Sequence, residues 1–221
     1  MVENDSYPVG FDVDYPDREL DRVTTLLRPL AVIPILIVLT TLVGHGAVFE
    51  RVDVSGHFGT GGVLFFAPLL MILFRRKYPR WWFDWNVELL RFTNRVAAYI
   101  AMMDDRYPST DDQQAVRLEV PFPDVERELS RWLPLVKWLL AIPHLVVLAF
   151  LFVGAVIAVV IAWFAILFTG RYPRGLFAFV EGVLRWFNRV VAYACILVTD
   201  SYPPFSLYSP AGGSGALDET A

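Results

Sequence analysis

Long uncharged stretches alternate along this chain with short segments in which charge returns at helical spacing. Residues 29–49 contain no Asp, Glu, Lys or Arg, and neither do residues 54–74. Each is about 20 residues long, enough to cross about 30 Å of hydrocarbon as a helix. Glu50, Arg51 and Asp53 lie between them, followed by Gly59, Gly61 and Gly62, so the pattern predicts a hairpin of span, polar loop and span. Residues 132–170 carry one charged side chain, Lys137. As a single helix they would extend about 58 Å, nearly twice the hydrocarbon thickness, so two spans joined by a tight turn near Gly154 are expected. Lys137 would then snorkel from the first turn of the third span.

Shorter periods fill the rest. Val9, Phe11 and Val13 alternate with Asp12 and Asp14, and Val116, Leu118 and Val120 alternate with Arg117 and Glu119. Both read as half-buried strands that pair with each other or with a neighbouring subunit, because neither is stable alone. Between residues 82 and 103 the period becomes helical. Asp84, Glu88, Arg91 and Arg95 form one stripe, opposite Trp82, Trp85, Leu89, Phe92, Val96, Ile100 and Met103. A second such segment keeps Arg185, Asn188 and Arg189, with Glu181 one turn before Arg185 and small Ala178 and Gly182 in place of Asp84 and Glu88. Helices of this kind lie flat at a membrane interface. Two further spans are disfavoured, because each ionisable residue near a bilayer centre costs about 2.5–3.5 kcal/mol. A Tyr-Pro-Arg precedes each helix and reads as a corner, with proline stopping the span and arginine at the phosphate level.

The two helices belong to a longer internal repeat. Placing residues 76–99 on residues 170–193 matches Tyr78, Pro79, Arg80, Phe83, Leu90, Arg91, Asn94, Arg95, Val96, Ala98 and Tyr99 with identical residues. Upstream, VGFDVDYPD resembles VRLEVPFPD and Ile33-Pro34 recurs as Ile142-Pro143, while downstream DRYP returns as DSYP. The expected organisation is a tail over 1–6, one unit over 7–108, a linker over 109–114, a second unit over 115–205 and a flexible tail over 206–221. Both hairpins enter from the same side, which makes the repeat parallel and distinct from the inverted repeats of many transporters.

Composition agrees with membrane placement. The chain of 221 residues is 56% hydrophobic and 19% charged, with mean hydropathy +0.47, beyond what soluble domains usually show. A net charge of −4 argues against nucleic-acid binding. The single cysteine, Cys195, excludes an internal disulfide. The polar, acidic start does not read as a cleavable signal. With four spans, every Lys and Arg except Arg51 falls on the side of the termini, which predicts that both termini are cytoplasmic.

The arrangement YPVGFDVDYPD, AVIPILIVL, RKYPR and LLRFTNRVAAYI, followed by LAIPHLVVL and LFTGRYPRGLFAFVEGVLRWFNRVVAYACILVTDSYPPFS, resembles a bacterial membrane-protein family, the domain of unknown function numbered 4389. The resemblance covers nearly all of residues 7–206, as two tandem copies. It implies a multi-pass protein of the bacterial inner membrane and carries over no catalytic residues.

Candidate chemistry is sparse. His45 and His57 share the outer loop with Glu50 and Asp53, without metal-binding spacing. GTGG at 59–62 lacks the context of a phosphate loop, and Asp104 and Asp105 read as solvated helix-end residues. Cys195 reads as a small packing residue, with acylation as the alternative. His144 enters the third span and is the intramembrane polar candidate; a neutral imidazole bonded to a carbonyl freed by Pro143 is the plainer reading. Arg80, Arg91, Arg95, Arg174, Arg185 and Arg189 have the best claim to a site, because the guanidinium fork matches lipid phosphate. Pairing with Glu88, Glu181 or the strand carboxylates is the competing reading. The expected protein is therefore an all-α integral membrane protein of four spans in two hairpins, with two interfacial helices and a small cytoplasmic β element. Its expected role is a non-catalytic accessory or scaffold subunit, without cofactor or metal, binding anionic lipid headgroups and a membrane-protein partner or a second copy of itself. A lipid or small-molecule transporter or channel component is the alternative.

Overall fold

The structure, a computed structural model, describes residues 7–43, 60–110, 112, 114–125, 129–130 and 132–208. The outer loop with His45, Glu50, Asp53 and His57 lies outside them, as do residues 1–6 and 209–221. In chain order the elements are strand β1 (Gly10–Val13), helices α1 (Arg22–Val43), α2 (Thr60–Arg75) and α3 (Arg80–Ile100), strand β2 (Val116–Glu119), and helices α4 (Pro134–Thr169) and α5 (Arg174–Val191). A π-helical turn, Ala192–Ile196, continues α5.

The strands pair with each other, antiparallel, with Phe11 opposite Leu118 and Asp12 opposite Arg117. Alternation sorts them as expected: Val9, Phe11, Val13 and Leu118 are buried, while Asp12, Asp14, Arg117 and Glu119 are exposed. β1 packs on α5 and β2 on α3. The prolyl corners are present. Pro79 (φ −62°, ψ 126°) and Pro173 (φ −62°, ψ 123°) hold extended backbone immediately before α3 and α5. Proline blocks a helix from running through that point, and its fixed φ suits the start of the next one. Each corner is held by one tyrosine hydroxyl. The Tyr78 hydroxyl donates to the Ile196 carbonyl at 3.0 Å, and the Tyr15 hydroxyl donates to the Tyr172 carbonyl at 2.5 Å.

The turn expected near Gly154 does not form. α4 is one helix of 36 residues, about 54 Å long. Gly154 faces the Phe179 ring, where an added Cβ would stand 3.4 Å from Cζ. Its missing side chain lets two helices approach, and within a helix glycine costs only about 1 kcal/mol relative to alanine. α4 runs antiparallel to α5, with His144 against Trp186 and Phe152 against Phe187.

α4 buries one face, which four alanines share with Lys137, His144, Leu148 and Ile166. Ala141, Ala155, Ala158 and Ala162 are buried, whereas Phe150, Val153, Val156, Ile157, Val160 and Ile161 are exposed. α1 likewise exposes Val23, Leu26, Leu30 and Ile37. Two helices, Arg22–Leu39 within α1 and Pro134–Thr169, are long and apolar enough to cross a membrane. Only 22% of each of these stretches is buried inside the protein. α2 is shorter, at 16 described residues.

Candidate functional site

The polar residues that recur along the sequence meet at the contact between α3 and α5. Its centre is a pair of buried carboxamides. Asn94 Nδ2 donates to Asn188 Oδ1 at 2.7 Å, and Asn188 Nδ2 donates to Asn94 Oδ1 at 2.7 Å. The same nitrogens donate to the carbonyls one turn earlier, Leu90 at 2.9 Å and Leu184 at 2.8 Å. An asparagine in a core is destabilising when its donors and acceptor lack partners; here each amide satisfies the other.

Arginines reach from this pair to the strands. Arg91 Nε donates to the Leu118 carbonyl at 3.2 Å, and Arg185 Nε donates to the Phe11 carbonyl at 2.8 Å. Phe11 and Leu118 face each other in the ladder, so each helix is tied to the strand from the other half of the chain. Arg185 also pairs with Asp12 and Glu181, both at 2.7 Å, and Glu181 accepts the Val13 amide at 3.1 Å. Burial raises the Glu181 carboxyl above its ordinary range, against the opposing pull of Arg185 and the Val13 amide. Arg91 pairs with Glu88 on its own helix.

One turn further, Arg95 donates to the Ser109 carbonyl at 2.8 Å. Arg189, only 1% exposed, donates to the carbonyls of Ser206 at 3.2 Å and Tyr208 at 3.0 Å. Burial, with Arg185 nearby, lowers the Arg189 pKa from its ordinary value. Arg185 donates to the Leu207 carbonyl at 3.1 Å. The first residues of the expected flexible tail, 206–208, are therefore docked. Gly182 makes room for them, since a Cβ there would stand 2.9 Å from the Leu207 oxygen. Glu88 occupies the matching place on α3.

A second pair of contacts joins the starts of α1 and α4 to the segments after α3 and α5. Arg28 pairs with Asp105 at 2.6 Å, donates to the Tyr99 carbonyl at 3.0 Å and lies over the Tyr99 ring. Lys137 pairs with Asp200 at 2.8 Å, donates to the Thr199 carbonyl at 2.7 Å and lies over the Tyr193 ring. Lys137 does not snorkel outward; its side chain is fully buried, because a carboxylate, a carbonyl and an aromatic face meet the ammonium inside the protein. Asp105 likewise belongs to an ion pair and not to a solvated helix end.

His144 is completely buried. Its Nδ1 accepts from Trp186 Nε1 at 3.0 Å, its expected bond to a carbonyl near Pro143 is absent among the described residues, and its ring stacks on Phe205 at 3.9 Å. Arg80 and Arg174 are exposed, with their guanidinium groups over Phe122 at 5.6 Å and Tyr15 at 5.2 Å. The candidate arginines thus divide. Arg185 and Arg189 turn inward, Arg91 and Arg95 are half-buried on carbonyls, and Arg80 and Arg174 face out. Cys195 is exposed between buried Ala194 and Ile196, so it is not a packing residue. Among the described residues no cluster of His, Cys, Asp and Glu is arranged to hold a metal ion.

Neither the Asn94–Asn188 contact nor Arg28 stands out in the sequence, and Lys137 does so only as a residue expected to snorkel. A signal existed. Aligning Ile33-Pro34 with Ile142-Pro143 sets Arg28 on Lys137, and aligning DRYP with DSYP sets Asp105 on Asp200. Neither periodicity nor spacing states that the two positions meet.

No curated protein and no solved structure matches the chain. Of the two tandem copies expected, the family comparison finds one: residues 131–206, which hold α4 and α5, match the domain of unknown function DUF4389.

Proposed function

We propose that the protein is a non-catalytic membrane scaffold made of two copies of one unit. Each copy supplies a strand, apolar membrane helices and one arginine-striped helix, and the two are related by a pseudo-two-fold axis through the Asn94–Asn188 and Phe11–Leu118 pairs. The observation that carries this reading is the inverted distribution of side chains. Recurring polar residues bond to one another inside, and large aliphatic side chains cover the outside of α1 and α4. That distribution suits a lipid surround, where exposed polar groups are costly and helices associate through small residues. α4 packs antiparallel along the interfacial α5, with His144 against Trp186 and Gly154 opposite Phe179, so on this reading it lies with α5 in the cytoplasmic leaflet, and the chain leaves α4 on the side where it entered.

On this reading the chain is multi-pass in a bacterial inner membrane, with both termini cytoplasmic. The strand ribbon covers the arginine stripes of α3 and α5 and makes the cytoplasmic face rigid. Headgroup binding then falls to the outward Arg80 and Arg174, and the exposed aromatic and aliphatic flanks offer contacts to a membrane-protein partner or a second copy. Extraction in native lipid followed by intact mass measurement tests the reading. The expected result is a mass above that of the chain, from retained anionic lipid, a partner or a homo-oligomer. A bare monomer under mild extraction would refute the scaffold role.

A further inference from the structure

α2 ends in a run of cations. Arg75, Arg76, Lys77 and Arg80 are all exposed, and among the described residues none of them is ion-paired. Arg76 and Lys77 line an open, mostly apolar groove of about 600 Å³ together with Tyr78, Phe122, Pro123 and Asp124. Arg80 lies over the same Phe122 ring. Phe74 and Trp81, 74% and 67% exposed, flank the corner.

The matching corner at the end of α4 is closed. There the left-handed position belongs to Gly170 (φ 72°), whose carbonyl accepts the Leu20 amide at 2.9 Å, with the Arg22 guanidinium 3.7 Å from where a Cβ would stand. At the end of α2 the left-handed residue is Arg76 (φ 47°). Glycine is the ordinary occupant of such a position, and a side chain makes it strained. Arg76 in this position lines the groove.

We propose that this groove binds the headgroup of an anionic phospholipid. The phosphate lies against Arg76 and Lys77, with Arg80 adding charge from the side, and the glycerol and first acyl carbons rest on Tyr78, Phe122 and Pro123. Guanidinium and ammonium groups suit phosphate oxygens, and the volume falls within the usual range for a small-molecule site. A lipid is favoured over free phosphate because the cations terminate a helix with no charge before Arg75 and stand beside exposed Phe74 and Trp81. The inference rests on the membrane placement proposed above.

The test uses the full chain in neutral detergent with phosphatidylcholine, titrated with phosphatidylglycerol and read by native mass spectrometry. Arg76→Gly combined with Lys77→Ser removes two cations while giving the left-handed position its preferred residue, so thermal stability should not fall. Phosphatidylglycerol binding should weaken about fivefold per cation, about 25-fold in all, with phosphatidylcholine binding unchanged. Arg171→Ser, at the closed corner, should bind like the parent. Equal loss in Arg171→Ser, or displacement by inorganic phosphate, would overturn the assignment. So would undiminished binding by the double variant, in which case retained phosphatidylglycerol would leave the wider lipid-binding reading standing. A parent chain without preference for phosphatidylglycerol would sink both.

Discussion

Asn94 and Asn188 show what a single residue can decide in this protein. Each carboxamide is the other's partner, so replacing one leaves the second buried with an unmet acceptor and donor. Asn188→Leu should cost about 1–3 kcal/mol, the usual penalty for stranding a buried polar group, and lower the detergent-phase melting temperature by several degrees. Asn94→Leu should behave alike. The combination of both should cost clearly less than the sum, because an apolar pair strands nothing. Strictly additive losses in thermal unfolding would mean that the reciprocal bonds contribute little. The sequence displayed both asparagines at matched positions but gave no sign that they touch, since helical periodicity assigns a residue to a face and not to a partner. The cation pairs are similar: Arg28 and Asp105 are far apart in sequence, and only the packing of α1 on α3 brings them together.

At the scale of elements, strands and corners were legible and the long helix was not. Alternation over Val9–Val13 and proline before each amphipathic helix are local signals, and local signals were enough. Gly154 is different. Glycine serves a turn and a close helix contact equally well, and only the opposing ring of Phe179 shows which applies. α4 can be tested directly. Spin labels at Val146 and Ile161, both exposed, in a Cys195→Ser background, should lie about 22 Å apart along one helix, before allowance for the label arms. A hairpin turning at Gly154 would bring them to about 10 Å, the distance between packed helices. Gly182 makes the same point about context. Its sequence counterpart is Glu88, and the exchange is explained by Leu207 passing within contact distance.

For the whole molecule, the account depends on two units facing one side of a membrane. The sequence repeat suggested this, and the matched bonds from Arg91 and Arg185 to opposed strand carbonyls support it, as do the matched pairs Arg28–Asp105 and Lys137–Asp200. Charge supplies the side, because with both units facing one way every Lys and Arg except Arg51 falls on the side of the termini. Arg80 and Arg174 are suitable reporters, since both are exposed at equivalent corners. The most direct measurement is thiol labelling of Arg80→Cys and Arg174→Cys, each in a Cys195→Ser background, with a membrane-impermeant maleimide. Both should remain unlabelled in intact spheroplasts and react to the same extent in inverted vesicles. Labelling of either one from the outside, or opposite behaviour at the two corners, would contradict the parallel two-unit architecture.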